Sequence, residues 1–483
     1  MAKDFIVAIE LGSSKMTGIA GRKNPDGSIT VLAVASEDST SYIRKGVVYN
    51  IDKTTQGLSN IISKLKNSLQ ADITQVYVGI GGQSIHSVKN MVIKDLPMDA
   101  IVSQNMVNEL MDSNRNMTYP DYEIQDAITE EYKVDLQYQN DPVGIQASRL
   151  EGNFLNILWR RSFYRNLNKS FDNAGIAIAE TYLAPLVMAD NVLTEAEKRA
   201  GCVLVDLGAE TTTVSVYYRD KLRSIAVIPL GGDNITKDLE SLQMEACEAE
   251  RMKLKYSSAI TDVADIDPTA ILPIDSNRSV ESRRFIEVVE ARTLEIIENV
   301  KSFIPSEYID KLLGGIIITG GGSNMTNIEK AFREITGVEK IRIAKFVTLN
   351  INSKDSKPEL RHDGTMNTIL SLIARGDMNC AGNPFGNSLF DNQQFNAAFT
   401  TGTTNGTTTT QPNATTPHET EEERTKREEK ERIAKEEAER IKQEEETRKA
   451  KEEEERKKNS PIHRFFGSLK QFGRSLVEPE NNE

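Results

Sequence analysis

The amino-acid sequence predicts an α/β fold that is built twice from the same kind of unit. Up to about residue 383, short runs of β-branched residues alternate with amphipathic stretches, which is typical of an α/β protein. A strand that ends in an acidic residue and a glycine-containing turn occurs at residues 6–21 and again at residues 203–217. This repeat predicts two similar lobes with one ligand held between them.

The spacing of apolar residues predicts the main strands and helices in chain order. We predict strands at Phe5–Ile9, Val76–Ile80, Val203–Asp206, Val214–Tyr217 and Gly315–Thr319. We predict helices, from apolar residues three and four apart, at Thr54–Ser68, Phe163–Ala174, Glu245–Tyr256 and Ser282–Phe303.

Composition narrows the possible functions. The 483 residues carry a formal net charge of -13, so no broad basic surface indicates nucleic-acid binding. The three cysteines, Cys202, Cys247 and Cys380, have no CxxC spacing and predict neither a disulfide framework nor a zinc site. No apolar run approaches the roughly 18 residues that a membrane span needs. We therefore expect a protein of the reducing cytosol that is neither secreted nor transmembrane.

The first candidate phosphate site is the turn of the hairpin at residues 6–21. An apolar strand leads through Glu10 into a turn made of Gly12, Ser13, Ser14 and Lys15. Successive backbone N–H groups in such a turn converge on an anion, and the hydroxyls and the lysine can add donors. Any Gly-Ser hairpin shares this pattern, so the stretch by itself leaves a purely structural role open.

The second candidate phosphate site repeats this arrangement. Its members are Asp206, Gly208, Ala209, Glu210 and Thr211, followed by another apolar strand. Two such units predict a nucleotide gripped between the lobes. Mg²⁺ keeps most of its waters and takes few direct protein ligands, so Glu10 and Asp206 are the candidates to hold a hydrated Mg²⁺.

A third motif follows the predicted strand Gly315–Thr319. Three glycines and a serine open this strand into a predicted helix: Gly320, Gly321, Gly322 and Ser323. Glycines leave room for a ligand to press against the backbone. Since it comes after two phosphate hairpins, we predict that this loop contacts the adenosine.

In this order and spacing, the three motifs resemble the actin, Hsp70 and sugar-kinase superfamily, and within it the FtsA family of bacterial cell-division actin homologues. Three features carry the family resemblance: Glu10 in the first hairpin, the stretch Gly231–Thr236, and Val78–Gly82, where the family's inserted subdomain begins. The resemblance covers about Lys3 to Gly376 and the C-terminal tail. It implies an actin-like (ribonuclease H-like), duplicated two-lobe ATPase fold with an inserted subdomain.

The resemblance also implies roles for particular residues. Gly232, Glu250 and Lys253 would lie on the adenosine side, and residues 173–189 look like the connecting helix. A solvated ion pair on one helix would have the same spacing as Glu250 and Lys253, so that alternative stays open. The family's Gly-Gly-Thr is Ala209-Glu210-Thr211 here, and a carboxylate facing the γ-phosphate would repel it. We therefore expect ATP binding with at most slow hydrolysis, and we single out no catalytic residue.

The chain divides into segments of different composition. The predicted parts are lobe I at 1–82 and 163–200, an inserted subdomain at 83–162, lobe II with its small subdomain and a return to lobe I at 201–385, a disordered Thr/Asn-rich linker at 386–418, a charged single-helix linker at 419–459, and an amphipathic helix at 460–477. The Thr-rich linker has too few apolar residues to offset the entropy of ordering. The charged linker places Glu four residues before a basic residue repeatedly, which favours a lone helix, with a solvated tract as the alternative.

The last segment has the pattern of a helix that lies in a membrane interface. One stripe contains Ile462, Phe465, Phe466, Leu469, Phe472 and Leu476, with Arg464, Lys470 and Arg474 at its edges or beyond. Such a stripe with basic flanks is typical of membrane-surface helices. The alternative is docking onto the globular body or into a groove of a partner protein.

Together these features imply a cytoskeletal adaptor. The resemblance implies ATP and Mg²⁺ as ligands and a peripheral location on the cytoplasmic side of the inner membrane at the division site. It implies four partners: the C-terminal tail of FtsZ, other copies of the chain in a filament, membrane lipids, and downstream division proteins. The alternatives are a sugar-kinase-like phosphotransferase and a pilus-assembly actin homologue.

Overall fold

The computed structural model describes residues 4–381, apart from 98–99, 263, 265–266, 268 and 354–359. The two predicted linkers and the predicted membrane helix at 460–477 lie outside the described residues. Within the described part of the chain, no helix has the length and apolar character required to cross a membrane.

The first lobe begins with a sheet that is assembled around a buried N-terminal strand. Its elements are β1 (Ile6–Leu11), β2 (Lys15–Lys23), β3 (Ile29–Asp38), β4 (Ile43–Arg44), β5 (Val47–Val48), α1 (Ile51–Leu69) and β6 (Gln75–Ile80). The β1, β2 and β3 strands form an antiparallel meander, and β6 lies parallel to β1 on its other side. Val7, Ala8 and Ile9 are fully buried, which explains why β1 has no polar residue before its end.

The inserted subdomain follows β6. Its elements are β7 (His86–Asp95), α2 (Gln104–Arg115), β8 (Tyr122–Val134), β9 (Gln137–Gln139) and β10 (Arg149–Arg160). The β10 strand pairs antiparallel with both β7 and β8. The α2 helix supplies Leu110 to a small core with Leu150 and Phe154, so the insert has its own hydrophobic centre.

The chain then returns to lobe I. The elements are α3 (Arg161–Ala174), β11 (Ala177–Leu183), α4 (Ala184–Val192) and α5 (Glu195–Ala200), and β11 pairs in parallel with β6. The prediction of a connecting helix at residues 173–189 was wrong. Gly175 takes a left-handed conformation with φ of 65° and ends α3, and a strand separates it from α4. Glycine adopts this conformation without steric cost, which is why it ends helices so often.

The second lobe repeats the fold of the first, and the chain then returns to lobe I. Its elements are β12 (Cys202–Leu207), β13 (Thr212–Tyr218), β14 (Lys221–Ile228), α6 (Gly232–Glu240), α7 (Ala246–Tyr256), β15 (Ile271–Pro273), β16 (Ser279–Glu281), α8 (Ser282–Ser302), α9 (Ser306–Ile309), β17 (Gly315–Thr319), a 3₁₀ turn (Gly321–Asn324), α10 (Ile328–Thr336), β18 (Ile341–Ile343), β19 (Ile351–Ser353) and α11 (Asn367–Arg375). The β19 strand pairs with β3, and α11 packs on β1 and β2 of lobe I.

The two lobes share one topology. Lobe I has the strand order β3-β2-β1-β6-β11, and lobe II has the order β14-β13-β12-β17-β18. In each lobe the first three strands are antiparallel and the last two run parallel to the first. The predicted duplication and the ribonuclease H-like fold are therefore confirmed. The predicted strands and helices are all present, with ends within three residues of those expected.

The insert docks onto lobe II rather than standing free. His86 at the start of β7 pairs with Ala226 of β14, and the N–H of Val227 donates to the carbonyl of Ile85 at 3.1 Å. These contacts join the two sheets into one sheet of nine strands. A second contact also joins the insert to lobe II: Glu130 of β8 and Arg223 of β14 form a buried ion pair.

Candidate functional site

A cavity of about 770 Å³ lies between the lobes, and we call it the interlobe cavity. Turns from both predicted phosphate hairpins and the glycine loop line it. The predicted site residues in its wall are Glu10, Gly12, Ser13, Ser14, Lys15, Asp206, Gly208, Ala209, Thr211, Gly232, Glu250, Lys253, Gly320, Gly321 and Gly322. Glu210 and Ser323 are not in this wall, and the contacts described below explain why. The cavity volume falls in the range that small-molecule sites have.

The two hairpin turns have the same tight geometry. A Cβ atom on Gly12 would lie 2.6 Å from the carbonyl oxygen of Lys15, and one on Gly208 would lie 2.8 Å from that of Thr211. In the second turn, the N–H of Gly208 also donates to the Thr211 carbonyl at 2.8 Å. Both positions therefore require glycine. The absence of a side chain there lets an anion approach the backbone of the turn closely.

Neighbouring loops hold the first turn in place. The Ser39 hydroxyl donates to the Gly12 carbonyl at 2.6 Å, and the Ser13 hydroxyl accepts from the N–H of Gly46 at 2.8 Å. Because a hydroxyl both donates and accepts, Ser13 still has its own hydrogen to offer a ligand. Ser39 and Gly46 lie outside the hairpin, and the hairpin pattern does not reveal them.

Two carboxylates face each other across the cavity, one from each lobe. Burial, and then the negative charge of Asp206, raise the pKa of Glu10 to about 7, although Lys15 and a hydrogen bond with Thr368 act in the opposite direction. Burial raises the pKa of Asp206 to about 6. A pair of partly desolvated carboxylates in this state favours a cation. The donor chemistry suits a hydrated divalent ion such as Mg²⁺.

Lys253 is buried at the wall where the nucleoside is expected, rather than solvated on its helix. Its side chain is only 10% exposed, and its Nζ lies 2.6 Å from Glu250. The same ammonium donates to the Gly232 carbonyl at 3.0 Å and to the Thr236 hydroxyl at 2.8 Å. Thr236 in turn donates to Glu250 at 2.6 Å. This network joins α6 to α7 and orders the cavity wall, and sequence reasoning missed Thr236.

The glycine loop packs directly against the second carboxylate. Gly320 has φ of 82°, and a Cβ there would lie 2.3 Å from Oδ1 of Asp206 and 2.6 Å from the Leu207 carbonyl. The Ser323 hydroxyl donates to the Gly320 carbonyl at 2.7 Å inside the loop. This bond and its burial explain why Ser323, a predicted adenosine contact, does not line the cavity.

Gly320→Ala is expected to disrupt this packing. Gly320 has φ of 82° and ψ of 175°, a region that only glycine enters readily, so an alanine there costs about 1 to 3 kcal/mol, and the overlap with Asp206 adds about 1 kcal/mol or more. Gly337→Ala is the control for an alanine at positive φ, because Gly337 has φ of 75° and ψ of 8° with no atom within 4 Å of the added Cβ. Chemical unfolding of both variants measures the difference. A Gly320→Ala cost no greater than that of Gly337→Ala would contradict the packing account.

Glu210 turns away from the cavity. Its Oε2 accepts from the backbone N–H of Lys45 at 2.6 Å, and its Oε1 lies 3.3 Å from Nζ of Lys237. These two partners bond to both carboxylate oxygens, and the side chain does not line the interlobe cavity. Only the backbone of Glu210 stays a predicted phosphate contact.

The segment that returns to lobe I adds cavity residues that the motifs did not predict. Asp363, Gly364, Thr365 and Thr368 line the cavity just before and inside α11. Asp363 accepts from the N–H of Thr365 at 3.0 Å, which shapes the turn that leads into the helix. The sequence Asp-Gly-Thr before an amphipathic stretch is a visible turn signal. Nothing local reveals that this turn packs against Gly320, or that Thr368 in the following helix bonds to Glu10.

A solved structure shares this architecture. The chain resembles a protein of the "PilM-PilN type IV pilus biogenesis complex" with a TM-score of 0.53 and 14% identity, over 77% of this chain and 98% of that one. At this identity the likeness bears on the fold alone.

Sequence comparisons identify the family. A family model described as "Cell division protein FtsA" matches residues 203–361, and one described as "SHS2 domain inserted in FTSA" matches residues 82–158. The cell division protein FtsA of Porphyromonas gingivalis is 32% identical over 352 residues, which cover 71% of this chain and 74% of that protein. FtsA of Pseudomonas aeruginosa is 29% identical and covers 68% and 81%. With its actin-like lobes and inserted SHS2 domain, the chain belongs to the FtsA family of cell division proteins.

Proposed function

We propose that the chain binds ATP with Mg²⁺ between its lobes, polymerises on the cytoplasmic face of the inner membrane, and tethers the FtsZ ring there. In this role it also helps to recruit later division proteins. One observation carries the nucleotide part of the proposal: two turns of equal geometry, each beside a half-buried carboxylate, face a single cavity. Membership of the FtsA family supports the division role.

Each part of the interlobe cavity suits one part of the nucleotide. Glu10 and Asp206 would hold Mg²⁺ through its water ligands, and the ion would neutralise the β- and γ-phosphates. The two hairpin turns and Lys15 would bind the phosphate oxygens through N–H and ammonium donors. The wall around Gly232 and Lys253 and the glycine loop would receive the adenosine.

The main role of the nucleotide would be to hold the two lobes together, and its hydrolysis would be secondary. It would touch a hairpin from each lobe, so its binding energy would favour the closed arrangement of the lobes. Subunits held in one shape can assemble into a filament. A filament presents many tails to a membrane at once, and this raises avidity without new contacts, so assembly and membrane attachment reinforce each other.

Removal of residues Pro461 to Glu483 is expected to abolish membrane attachment while ATP binding stays unchanged. The physical reason is the apolar stripe that the sequence predicts in this segment. Sedimentation with vesicles of anionic phospholipid measures attachment. Phe465→Asp should weaken attachment strongly, whereas Gln471→Asp adds the same charge on the opposite face of the predicted helix and serves as the control. Equal recovery of the shortened and full chains would exclude the tether.

The FtsZ part of the proposal requires all three components together. FtsZ should sediment with vesicles in the presence of the full chain and ATP, and stay in solution with the shortened chain. Retention of FtsZ in solution in both cases would count against the tether to the ring. ATP consumption that increases when sugars are added would instead favour a phosphotransferase.

A further inference from the structure

The hairpin formed by β4 and β5 has a rigid tip that belongs to lobe I. Lys45 and Gly46 form its two-residue turn with φ of 50° and 72°, as expected for a tight antiparallel hairpin. The N–H of Gly46 donates to the Ser13 hydroxyl, and the carbonyl of Lys45 accepts from the N–H of Gln83, both at 2.8 Å. These two bonds fix the tip to the first phosphate hairpin and to the start of the insert.

A third polar group of this tip, the N–H of Lys45, bonds to the other lobe. The N–H of Lys45 donates to Oε2 of Glu210 at 2.6 Å, and Glu210 lies in the turn between β12 and β13. A hydrogen bond to an ionised acceptor is shorter and stronger than one between neutral groups. The Glu210 side chain is 18% exposed, whereas Lys45 lies at the surface, so water reaches this bond from the side of the hairpin tip.

Lys237 supports the carboxylate without joining the lobes. It belongs to α6, so it shares lobe II with Glu210. Its ammonium lies 3.3 Å from Oε1 of Glu210, and its side chain is 60% exposed. An exposed ion pair of this kind adds little energy by itself. The bond between Glu210 and the Lys45 backbone is therefore the contact that spans the lobes here.

This contact lies beside the residues that would surround a phosphate. Ser13 and Gly46 line the cavity on one side of it, and Ala209 and Thr211, the neighbours of Glu210, line it on the other. An opening of the lobes at this place has to separate Glu210 from the tip of the β4–β5 hairpin.

We propose that Glu210 is a latch between the lobes, which must release the N–H of Lys45 before a bound nucleotide can leave the interlobe cavity. The proposal rests on the proposed nucleotide binding. The Glu210 side chain has a positioning role, because it acts through the hairpin tip and does not itself contact the ligand.

Release of a fluorescent ATP analogue from the full chain with Mg²⁺, chased with unlabelled ATP, tests the latch. Glu210→Ala is expected to release the analogue about tenfold faster, since one charge-assisted bond is lost, and to bind it faster as well, because the free chain must open the same bond to admit the nucleotide. Glu210→Gln keeps an acceptor for Lys45 and should fall between wild type and Glu210→Ala. Lys237→Ala should change the rate by about twofold at most. Glu287→Ala, which breaks an exposed Arg283 pair on α8, is the matched control and should have no effect.

Hydrogen exchange of residues 44–46 without nucleotide provides a readout that does not depend on ligand binding. The wild-type Lys45 amide should be protected, and Glu210→Ala should expose it. A wild type that binds no nucleotide would refute the proposed function, while this exchange would still decide whether the latch bond forms. An unprotected Lys45 amide in wild type, or an unchanged release rate in Glu210→Ala, would overturn the latch. Slower release from Glu210→Ala would also overturn it and indicate repulsion of the phosphate.

Discussion

Asp206→Asn is expected to weaken binding of ATP with Mg²⁺ by about 10- to 100-fold, as loss of an outer-shell metal partner does. The same change should stabilise the nucleotide-free protein at alkaline pH. Asp206 and Glu10 lie half-buried at the interlobe cavity, and the two carboxylates repel each other when both are ionised. An amide has a similar shape and carries no charge to desolvate.

The direction of the pH effect follows from the raised pKa values. The pKa of Asp206 is about 6 and that of Glu10 about 7 in the folded protein, against ordinary values near 4. Between about pH 4 and pH 7, the folded state therefore holds more protons than the unfolded state, and the free energy of unfolding falls as the pH rises. The loss of stability caused by ionising the two carboxyl groups in the folded protein is complete above about pH 7 and disappears below about pH 4.

Melting temperatures at pH 8 and pH 5 check this prediction. Without nucleotide, Asp206→Asn should melt above wild type at pH 8, and the difference should shrink at pH 5. With ATP and Mg²⁺ at pH 8, wild type should gain more stability than the variant. Asp220→Asn, an exposed change in the turn between β13 and β14, is the control and should follow wild type. Equal ATP affinity of Asp206→Asn and wild type would contradict the assigned role of Asp206.

The residues that sequence reasoning placed at the cavity have local signals. Glu10 and Asp206 each follow a run of apolar residues and precede a glycine turn, so one stretch of sequence contains the strand, the acid and the bend. Gly320 has a local signal too, because it comes directly after the apolar strand β17 and opens the glycine loop. Within one hairpin the backbone connects all parts of the pattern, so a pattern in the sequence is enough to predict their proximity.

The placements that the sequence alone could not decide depend on contacts between distant parts of the chain. Glu210 bonds to Lys45, which lies 165 positions earlier, and this bond decides that the carboxylate leaves the cavity. Thr368 reaches Glu10 only because the chain crosses back to lobe I. Local spacing made Glu250 and Lys253 compatible with a solvated pair. Lys253 is buried by its bonds to Gly232 and Thr236 of α6, which no pattern on α7 reveals, whereas Glu250 stays 42% exposed.

Arg223→Ala and Glu130→Ala are each expected to cost about 3 to 5 kcal/mol, because each leaves the other charge buried and unpaired. The carboxylate and guanidinium are 3.3 Å apart, and their side chains are 7% and 9% exposed. Two further bonds hold the pair: Arg223 donates to the Tyr218 carbonyl at 3.3 Å, and Lys221 donates to the Glu130 carbonyl at 2.6 Å. Together these contacts fasten the insert to β14.

The double variant of Glu130→Ala with Arg223→Ala separates the interaction between the two charges from the cost of leaving one of them unpaired. When both charges are removed, no buried charge is left unpaired, so the double variant should cost far less than the sum of the single variants. Hydrogen exchange should rise across β8 and β10 in the single variants if the pair fastens the insert to lobe II. Glu109→Ala breaks the exposed pair with Lys94 inside the insert and should leave both readouts near wild type. Single variants that cost under about 1 kcal/mol, with unchanged exchange in β8, would show that backbone pairing at His86 and Ala226 holds the insert without the ion pair.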